Sequence, residues 1–382
     1  MPIMLPPQED QFTWKVSGEY RIRYERRIDR DFKSSTRDND STLFQRGRAT
    51  LDWKYGENLS GTIQYQYAHG LFWKPTKTSS DENSNITQLN VKFKAPEGTW
   101  TVGRQKVIVG SERLVGAGEW TNVGRSFDGV RFQTKDWDAF AVRVGHSDPW
   151  PPNARLVGIG HSWKNGGTTN VLYKADADAT GKVNLTTLDH AQTWKTKDFD
   201  IDAEAAYQFG KTKGKDHTAW AVHFGASHAF NKDSKLALEL NSASGGGGTN
   251  STHTFDNLYP TNHKFFGIMD LFAWKNNTNI IGTFTTKTGP NVEFKTRLIG
   301  AWLNDKKDAW YGASGKAGLK DANGNSGRFL GNEVDFEFTW KRNANESLMV
   351  GYGFFAPGGF VKKVTAENTT QHFGHVQYLI KF

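Results

Sequence analysis

Apolar and polar side chains alternate along most of this chain with a period of two residues. Such alternation is typical of a β-strand, because an amphipathic helix would place apolar residues three and four positions apart. The alternation is clearest in segments beginning near Phe12, Phe199, Trp220, Val334 and Val376.

Short turn signals alternate with longer polar connections between these segments. Gly56-Glu57-Asn58 and Gly289-Pro290-Asn291 are two of the short signals, and residues 30–40 and 245–277 are two of the longer connections. We place residues 264–274 in a long external loop, since a strand there would make the total number of predicted strands odd. The predicted strands are residues 11–29, 41–54, 59–72, 86–94, 99–107, 127–135, 137–146, 154–164, 168–176, 183–195, 198–209, 217–229, 235–244, 278–288, 291–303, 328–342, 346–356 and 369–382.

Short turns at one end and long loops at the other are typical of bacterial outer-membrane barrels, which have an even number of strands. We therefore predict an all-β protein: a transmembrane antiparallel β-barrel of about 18 strands with short periplasmic turns and longer extracellular loops. A soluble propeller or solenoid would need a repeated motif with a period of about 40 residues. Aromatic residues near the short turns, such as Trp14, Trp53, Trp100, Phe199 and Trp340, indicate an interfacial girdle.

The composition supports an outward apolar face and a polar interior. Aromatic residues make up 13% of the chain and charged residues 23%, while the mean hydropathy is −0.65. The aromatic content excludes intrinsic disorder, and no segment has the ~20 apolar residues of a membrane-spanning helix. The absence of Cys excludes a disulfide scaffold, a thiol enzyme and a Cys-ligated metal site.

We expect a bacterial outer-membrane protein with one barrel domain, residues 11–382, preceded by a periplasmic segment, residues 1–10. The first residues have neither the basic start nor the apolar stretch of a signal peptide, so we expect that a leader has been removed. The net charge of +8 is moderate and does not by itself choose an anionic partner.

The residues that alternate with the apolar face are expected to line a water-filled lumen, since about 18 strands are too many for side chains alone to fill. Arginine forks attract and bind carboxylates, so a basic lumen would select anions, while acidic residues beside it would let them move on. Equally, basic and acidic residues of a barrel interior could simply pair with one another. The candidates on the strands are Arg21, Arg23, Arg46, Arg48, Arg104, Arg131, Arg143, Lys295, Arg297, Asp200, Asp202, Glu204, Glu333 and Asp335.

Enzymatic motifs are absent: the chain has no nucleophile elbow, P-loop or HExxH sequence. We predict no enzymatic activity, no cofactor and no metal. His253 and His263 share a predicted loop where metal binding is the less favoured reading. Nucleic-acid binding is not expected either, because Lys and Arg are spread through all strands.

Several segments resemble the alginate export family of outer-membrane porins, and the resemblance extends over nearly the whole chain. One reads Gly103-Arg104-Gln105, Glu112-Arg113-Leu114 and Phe127-Asp128-Gly129-Val130-Arg131, and others cover residues 258–265, 269–272 and 331–335. The resemblance implies an 18-stranded barrel with a basic conduit, in the type case for a polyuronate chain.

Within the matching segments, the resemblance implies Arg104, Arg113, Arg125, Arg131 and Glu333 as pathway residues. Arg113 and Arg125 flank a loop long enough to fold into the pore as a constriction; alternatively, Arg113 only braces that loop. The external loops look shorter than those of the alginate exporter itself, so the resemblance supports a porin or exporter more firmly than it supports alginate.

We therefore expect a monomeric outer-membrane channel for anionic polysaccharide or small anionic solutes. Its expected partners are the bilayer with its lipopolysaccharide, the solute, and periplasmic export proteins. The alternatives are a diffusion porin of other specificity, and a barrel enzyme or adhesion protein.

Overall fold

The computed structural model describes residues 11–36, 38–71, 83–146, 154–178 and 181–382. Over these ranges, 18 antiparallel strands form one closed barrel. The amino-terminal segment predicted for residues 1–10 lies outside the described residues.

Each wall strand pairs with its neighbour along the chain, as expected for an up-and-down barrel. The wall strands are β1 Phe12–Ile28, β2 Asp40–Tyr55, β3 Leu59–Leu71, β4 Asn83–Ala95, β5 Gly98–Gln105, β6 Ser126–Gln133, β7 Trp137–His146, β8 Arg155–Ser162, β9 Gly167–Asp178, β10 Gly181–Lys195, β11 Asp200–Thr212, β12 Lys215–Ala229, β13 Ser234–Ala243, β15 Asn277–Lys287, β16 Val292–Leu303, β17 Phe329–Lys341, β18 Glu346–Pro357 and β19 Gln371–Lys381. A two-residue strand, β14 Ser251–Thr252, and a 3-10 helix, Asn262–Lys264, lie between β13 and β15, and helix α1 Gly359–Thr365 lies between β18 and β19.

The barrel closes because the last strand pairs with the first. The register between β1 and β19 runs from Glu19 opposite Lys381 to Ile28 opposite His372. The predicted strands are all present, with ends displaced by at most three residues. Residues 264–274 form no strand, which confirms their assignment to a loop.

The outward face carries the large apolar residues, as their alternation predicts. Trp14 is 66% exposed and Leu298 56%, which is the expected state of side chains that lipid would cover. Exposed aromatic residues also gather near the short turns. This group includes Trp14, Phe93, Trp100, Trp137, Phe199, Phe230 and Trp340.

The interior is not an open tube, because long loops fold into it. An apolar cluster inside the wall contains Phe32, Phe272, Trp310 and Phe355, with ring centroids of Phe272 and Trp310 5.8 Å apart. These residues come from three different loops and from β18, so the cluster ties the loops to the wall. Among the described helical segments, none is long and apolar enough to cross a membrane.

Candidate functional site

Two long loops meet inside the barrel. The first inner loop, residues 106–125, connects β5 to β6, and the second inner loop, residues 244–276, connects β13 to β15. The amide of Gly116 donates to the carbonyl of Tyr259 at 2.9 Å, and the amide of Tyr259 donates to the carbonyl of Leu114 at 2.8 Å. The two loops therefore form one joined structure across the lumen.

Arg125 fastens this junction. Its Nη1 donates to the carbonyls of Gly116 at 2.6 Å and Tyr259 at 2.5 Å. Burial lowers the pKa of Arg125 to about 10, so its guanidinium stays charged at neutral pH. A charged donor makes stronger hydrogen bonds than a neutral one, so Arg125 acts as a brace between the loops.

Arginines of β1 bind the backbone of the first inner loop. Arg21 donates through Nη1 to the carbonyl of Glu119 at 2.9 Å and through Nη2 to that of Thr121 at 3.0 Å. Arg23 donates to the carbonyl of Trp120 at 2.7 Å and lies 3.9 Å from the centroid of that ring. Both arginines are buried. They face inward as predicted, and most of their donors are used to hold the loop.

Arg46 and Arg48 of β2 extend this network through carboxylates. Arg46 pairs with Glu19 at 2.8 Å and Arg48 with Glu119 at 2.6 Å, and Lys106 lies 2.5 Å from Glu119. Burial by itself raises the pKa of Glu119, but attraction from Arg48, Lys106 and Arg46 outweighs it and lowers that pKa to about 2. Glu119 therefore stays ionised at neutral pH and offsets part of the positive charge.

Arg113 anchors the other side of the first inner loop to the wall. It donates to Oδ1 of Asn241 at 3.2 Å, and its Nη2 lies 3.1 Å from Nε2 of His223. Glu204 lies 3.7 Å from Nε of Arg113, and the guanidinium lies 4.1 Å from the centroid of Phe265. Arg113 is 3% exposed, so its contacts agree with the bracing alternative.

The three predicted acidic residues of β11 face inward. Glu204 accepts from the hydroxyl of Ser111 at 2.6 Å, and Asp202 lies 2.5 Å from Nε2 of His223. Asp200 shares their face at the short-turn end, where it is exposed. Glu204 and, through His223, Asp202 form one wall of the site that holds Arg113.

Glu333 and Asp335 of β17 hold the second inner loop. Oε1 of Glu333 accepts from the amide of Met269 at 3.2 Å, and Oδ2 of Asp335 accepts from the amide of Ile268 at 3.1 Å. The loop comes this close because residue 267 is glycine with φ of 93°, and a Cβ there would overlap the Glu333 carboxylate. The sequence placed both acids inward but did not reveal this contact.

The remaining basic residues that were predicted to line the lumen and that face inward are also paired. Lys295 lies 3.4 Å and Arg297 3.9 Å from Glu337, and Arg131 lies 2.5 Å from Asp138. The sequence left open whether basic and acidic residues of the interior pair with one another, and these three basic residues do so.

The structure contradicts the prediction for Arg104 and Arg143, because both face outward. Arg104 alternates with the inward residues of β5 and shares the face of Trp100 and Val102, which are exposed. Arg143 shares the face of Trp137, whereas Val142 is buried inside the barrel. Charge predicts an inward direction for both arginines, but strand parity sets the direction and places both on the outward face.

A cavity of about 560 Å³ lies beside the joined loops, toward the short-turn end. Exposed ammonium groups enter it from Lys264 and Lys381, while Lys106 is partly exposed. The six basic residues of the lining outnumber its three carboxylates. The lining is Glu19, Arg21, Arg46, Arg48, Lys106, Ile108, Glu112, Ala117, Glu119, Trp120, Thr261, His263, Lys264, Gln377, Leu379 and Lys381.

An aromatic pair forms part of this lining. The rings of Trp120 and His263 are stacked, with centroids 3.7 Å apart and an interplanar angle of 6°. His263 is held by Asp270, whose Oδ1 lies 2.9 Å from its Nδ1. Within the described part of the chain, no group of His, Asp and Glu has the arrangement to hold a metal ion.

The sequence missed the cavity residues on loops. Trp120, His263 and Lys264 follow no strand alternation, and Lys106 lies in the predicted strand 99–107 but just beyond the end of β5, so the direction of all four depends on how the loops fold. Lys381 was in the last predicted strand and has inward parity, so strand alternation alone could have identified it.

The model of the alginate export family matches residues 13–375. A search of curated protein sequences gives no match.

Solved structures of Pseudomonas aeruginosa proteins share the fold. OccK11 (OpdR) is 11% identical with a TM-score of 0.66, covering 98% of this chain and 98% of that one. OpdO is 14% identical with a TM-score of 0.66, covering 97% of each chain. OccK2 (OpdF) in complex with glucuronate is 10% identical with a TM-score of 0.62, covering 97% of this chain and 95% of that one.

The match over nearly the whole chain confirms the resemblance seen in the sequence, and the similar structures confirm the barrel fold. The chain belongs to the alginate export family and is a β-barrel channel protein of the bacterial outer membrane.

Proposed function

We propose that this channel passes anionic saccharides or related anionic solutes, with uronates as the favoured class. The observation that carries the proposal is the cavity beside the inner loops, with its six basic residues and three carboxylates. An excess of positive charge in a confined aqueous space attracts anions and excludes cations.

The three lysines are the groups we expect the solute to contact. The arginines of the lining are buried and committed to the loop backbone and to carboxylates. Lys106 and Lys264 also have carboxylate partners, Glu119 at 2.5 Å and Glu112 at 3.0 Å, but Lys264 remains 51% exposed and Lys106 30%. A mobile ammonium group binds a carboxylate as a point charge. Contacts of this kind are weak enough to allow release, which conduction requires.

The stacked Trp120 and His263 rings support a saccharide as the solute. Their apolar faces can contact the hydrogen-bearing face of a sugar while the lysines contact its carboxylate. A solved structure with this fold, OccK2 of Pseudomonas aeruginosa, contains glucuronate, which is a uronic acid.

A second candidate is a channel for small anionic solutes only. The observation that favours it is the joined pair of inner loops, which leaves a cavity of about 560 Å³. That volume falls in the range of small-molecule pockets, about 300–1,000 Å³. A polymer would need the loops to move, whereas a monosaccharide would not.

Planar-bilayer recordings test the proposal. Under a salt gradient the wild type should be anion-selective, and Lys106→Gln with Lys264→Gln should reduce that selectivity. At a distance of 8 Å in water each charge contributes roughly 0.5 kcal/mol, so we expect about a twofold reduction per lysine. The matched control is Arg26→Gln with Lys211→Gln, which removes two charges from the outward face.

Block of the current identifies the solute. Glucuronate and uronate oligomers should both reduce the current, while neutral sugars of equal length should not. Block by glucuronate without any effect of oligomers would select the small-solute candidate. Cation selectivity, or equal block by neutral sugars, would contradict the proposal.

A further inference from the structure

A row of charged residues crosses the outward face of β5 to β8. Arg104 is opposite Asp128, Asp128 is opposite Arg143, and Arg143 is opposite Arg155 in the strand register. Since neighbouring strands are about 4.8 Å apart, these four positions span about 14 Å. This charged row is separate from the lumen and its cavity.

Strand parity places the row on the lipid-facing side. Asp128 shares the face of Val130, and Arg155 shares the face of Val157; both valines are exposed, at 40% and 48%. The next residue after Arg155, Leu156, is fully buried inside the barrel. The outward faces of β13, β15 and β16, strands that are described throughout, carry only uncharged side chains, so the row is a local feature.

Among the described residues, a carboxylate fully neutralises only one of the three arginines. Arg104 donates to both carboxylate oxygens of Asp128, at 2.6 and 2.9 Å, and to the carbonyl of Ile86 at 2.9 Å. Arg143 reaches the same carboxylate at 3.4 Å, and its side chain is 54% exposed. One carboxylate against three guanidinium groups leaves two positive charges at the Arg143 end of the row.

Arg143 and Arg155 lie directly opposite each other, so their excess positive charge destabilises this part of the wall unless a counter-ion binds there. Like charges at opposed positions of neighbouring strands are destabilising. Arg155 is exposed, and within the described ranges it has no ion-pair partner. An anion placed between the two guanidinium groups would turn this repulsion into attraction to a shared ligand.

The upper part of the row lies near the long-loop end of the wall. Arg155 is the first residue of β8, and Arg143 is three residues before the end of β7. Eight positions separate Arg155 from Trp163 at the short turn, which corresponds to roughly 20 Å along the membrane normal for a strand tilt of about 40°. Long arginine stems let the charged groups reach outward from there, to the headgroups of the outer leaflet.

We propose that Arg143 and Arg155 bind the phosphate groups of lipopolysaccharide in the outer leaflet. Guanidinium forks match phosphate oxygens, and two opposed forks can bind one phosphate from both sides. A second copy of this chain is the less suitable occupant, because a symmetric contact would bring two positively charged rows together. Arg104 and Asp128 are positioning residues, since their bidentate pair fixes the carboxylate that orients Arg143.

The test measures binding of lipid A to the purified barrel in detergent. Native mass spectrometry would compare lipid A carrying both phosphates, dephosphorylated lipid A and phosphatidylglycerol. The variant is Arg143→Gln with Arg155→Gln, and Arg26→Gln with Lys211→Gln is the charge-matched control from the same outward face. Each lost charged hydrogen bond should weaken binding by about tenfold or more.

Tight binding of phosphorylated lipid A that is lost in the double variant and kept in the control supports the site. Channel conductance of the double variant measured alongside should equal that of the wild type, which shows that the barrel has folded. Equal binding by wild type and double variant, or equal binding of dephosphorylated lipid A, overturns the proposal. Equal binding of phosphatidylglycerol also overturns the proposal, as does the formation of an oligomer that depends on these two arginines.

Discussion

Replacing Arg113 with Gln should loosen the first inner loop from the wall formed by β11 to β13. The side chain is 3% exposed, and its guanidinium contacts Asn241 at 3.2 Å and His223 at 3.1 Å. Glu204 and Glu239 lie 3.7 and 3.6 Å away. Glutamine would fill part of the volume but would leave two carboxylates without their cation.

Removing one partner from a buried ion pair costs about 3–5 kcal/mol, because the other charge remains buried and uncompensated. If about 3 kcal/mol of this free-energy cost destabilises the docked state of the first inner loop, the equilibrium ratio of docked to undocked loop falls by roughly 100-fold. Residues 106–125 would then leave the docked position for a measurable fraction of the time.

Single-channel recordings and hydrogen exchange measure this loosening. We expect Arg113→Gln to show larger current fluctuations, a higher mean conductance and faster amide exchange in residues 106–125. Arg26→Gln, an outward substitution of the same type, should behave as the wild type. Unchanged conductance and unchanged exchange in Arg113→Gln would refute the inference that this arginine holds the constriction.

Two further substitutions test the interior. The pKa of Glu119 is lowered from 4.5 to about 2, so its carboxylate stabilises the docked loop fully above pH 4.5 and loses this effect as the pH falls toward 2. Glu119→Gln should therefore remove this acid dependence from the channel current. Because the variant also removes a negative charge from the cavity, it should increase anion selectivity at pH 7. A pH response identical in both proteins would contradict the assignment. Phe272→Ala should lower the free energy of unfolding by about 3–5 kcal/mol, since the ring is fully buried against Trp310; a thermal denaturation curve that matches the wild type would show that the cluster is not tightly packed.

The strands could be predicted because the sequence of each strand reflects the two different environments of its two faces. Lipid requires apolar residues at every second position, and the lumen accepts polar ones, so the period of two marks a strand without any knowledge of its neighbours. Short turns carry local signals as well, in Gly, Asn and Asp. The even strand count and the girdle of aromatic residues followed from these local features.

The direction of charged side chains was predicted less well. Arg21 and Arg46 were placed inward correctly, because their strands alternate strictly. Arg104 was assigned to the lumen on its charge and on its family motif, although Trp100 and Val102 share its face. Parity, where it is readable, is therefore the stronger guide than residue type.

What the sequence determined by itself is the wall: strand number, barrel closure, outward apolar face and family. The constriction was decided by tertiary structure alone. Whether Arg23 faces water or binds the carbonyl of Trp120, and whether Lys264 enters a cavity, depends on two loops with no regular period. Their path is set by contacts between residues far apart in the chain, such as Gly267 with Glu333, and such contacts exist only once the barrel has closed around them.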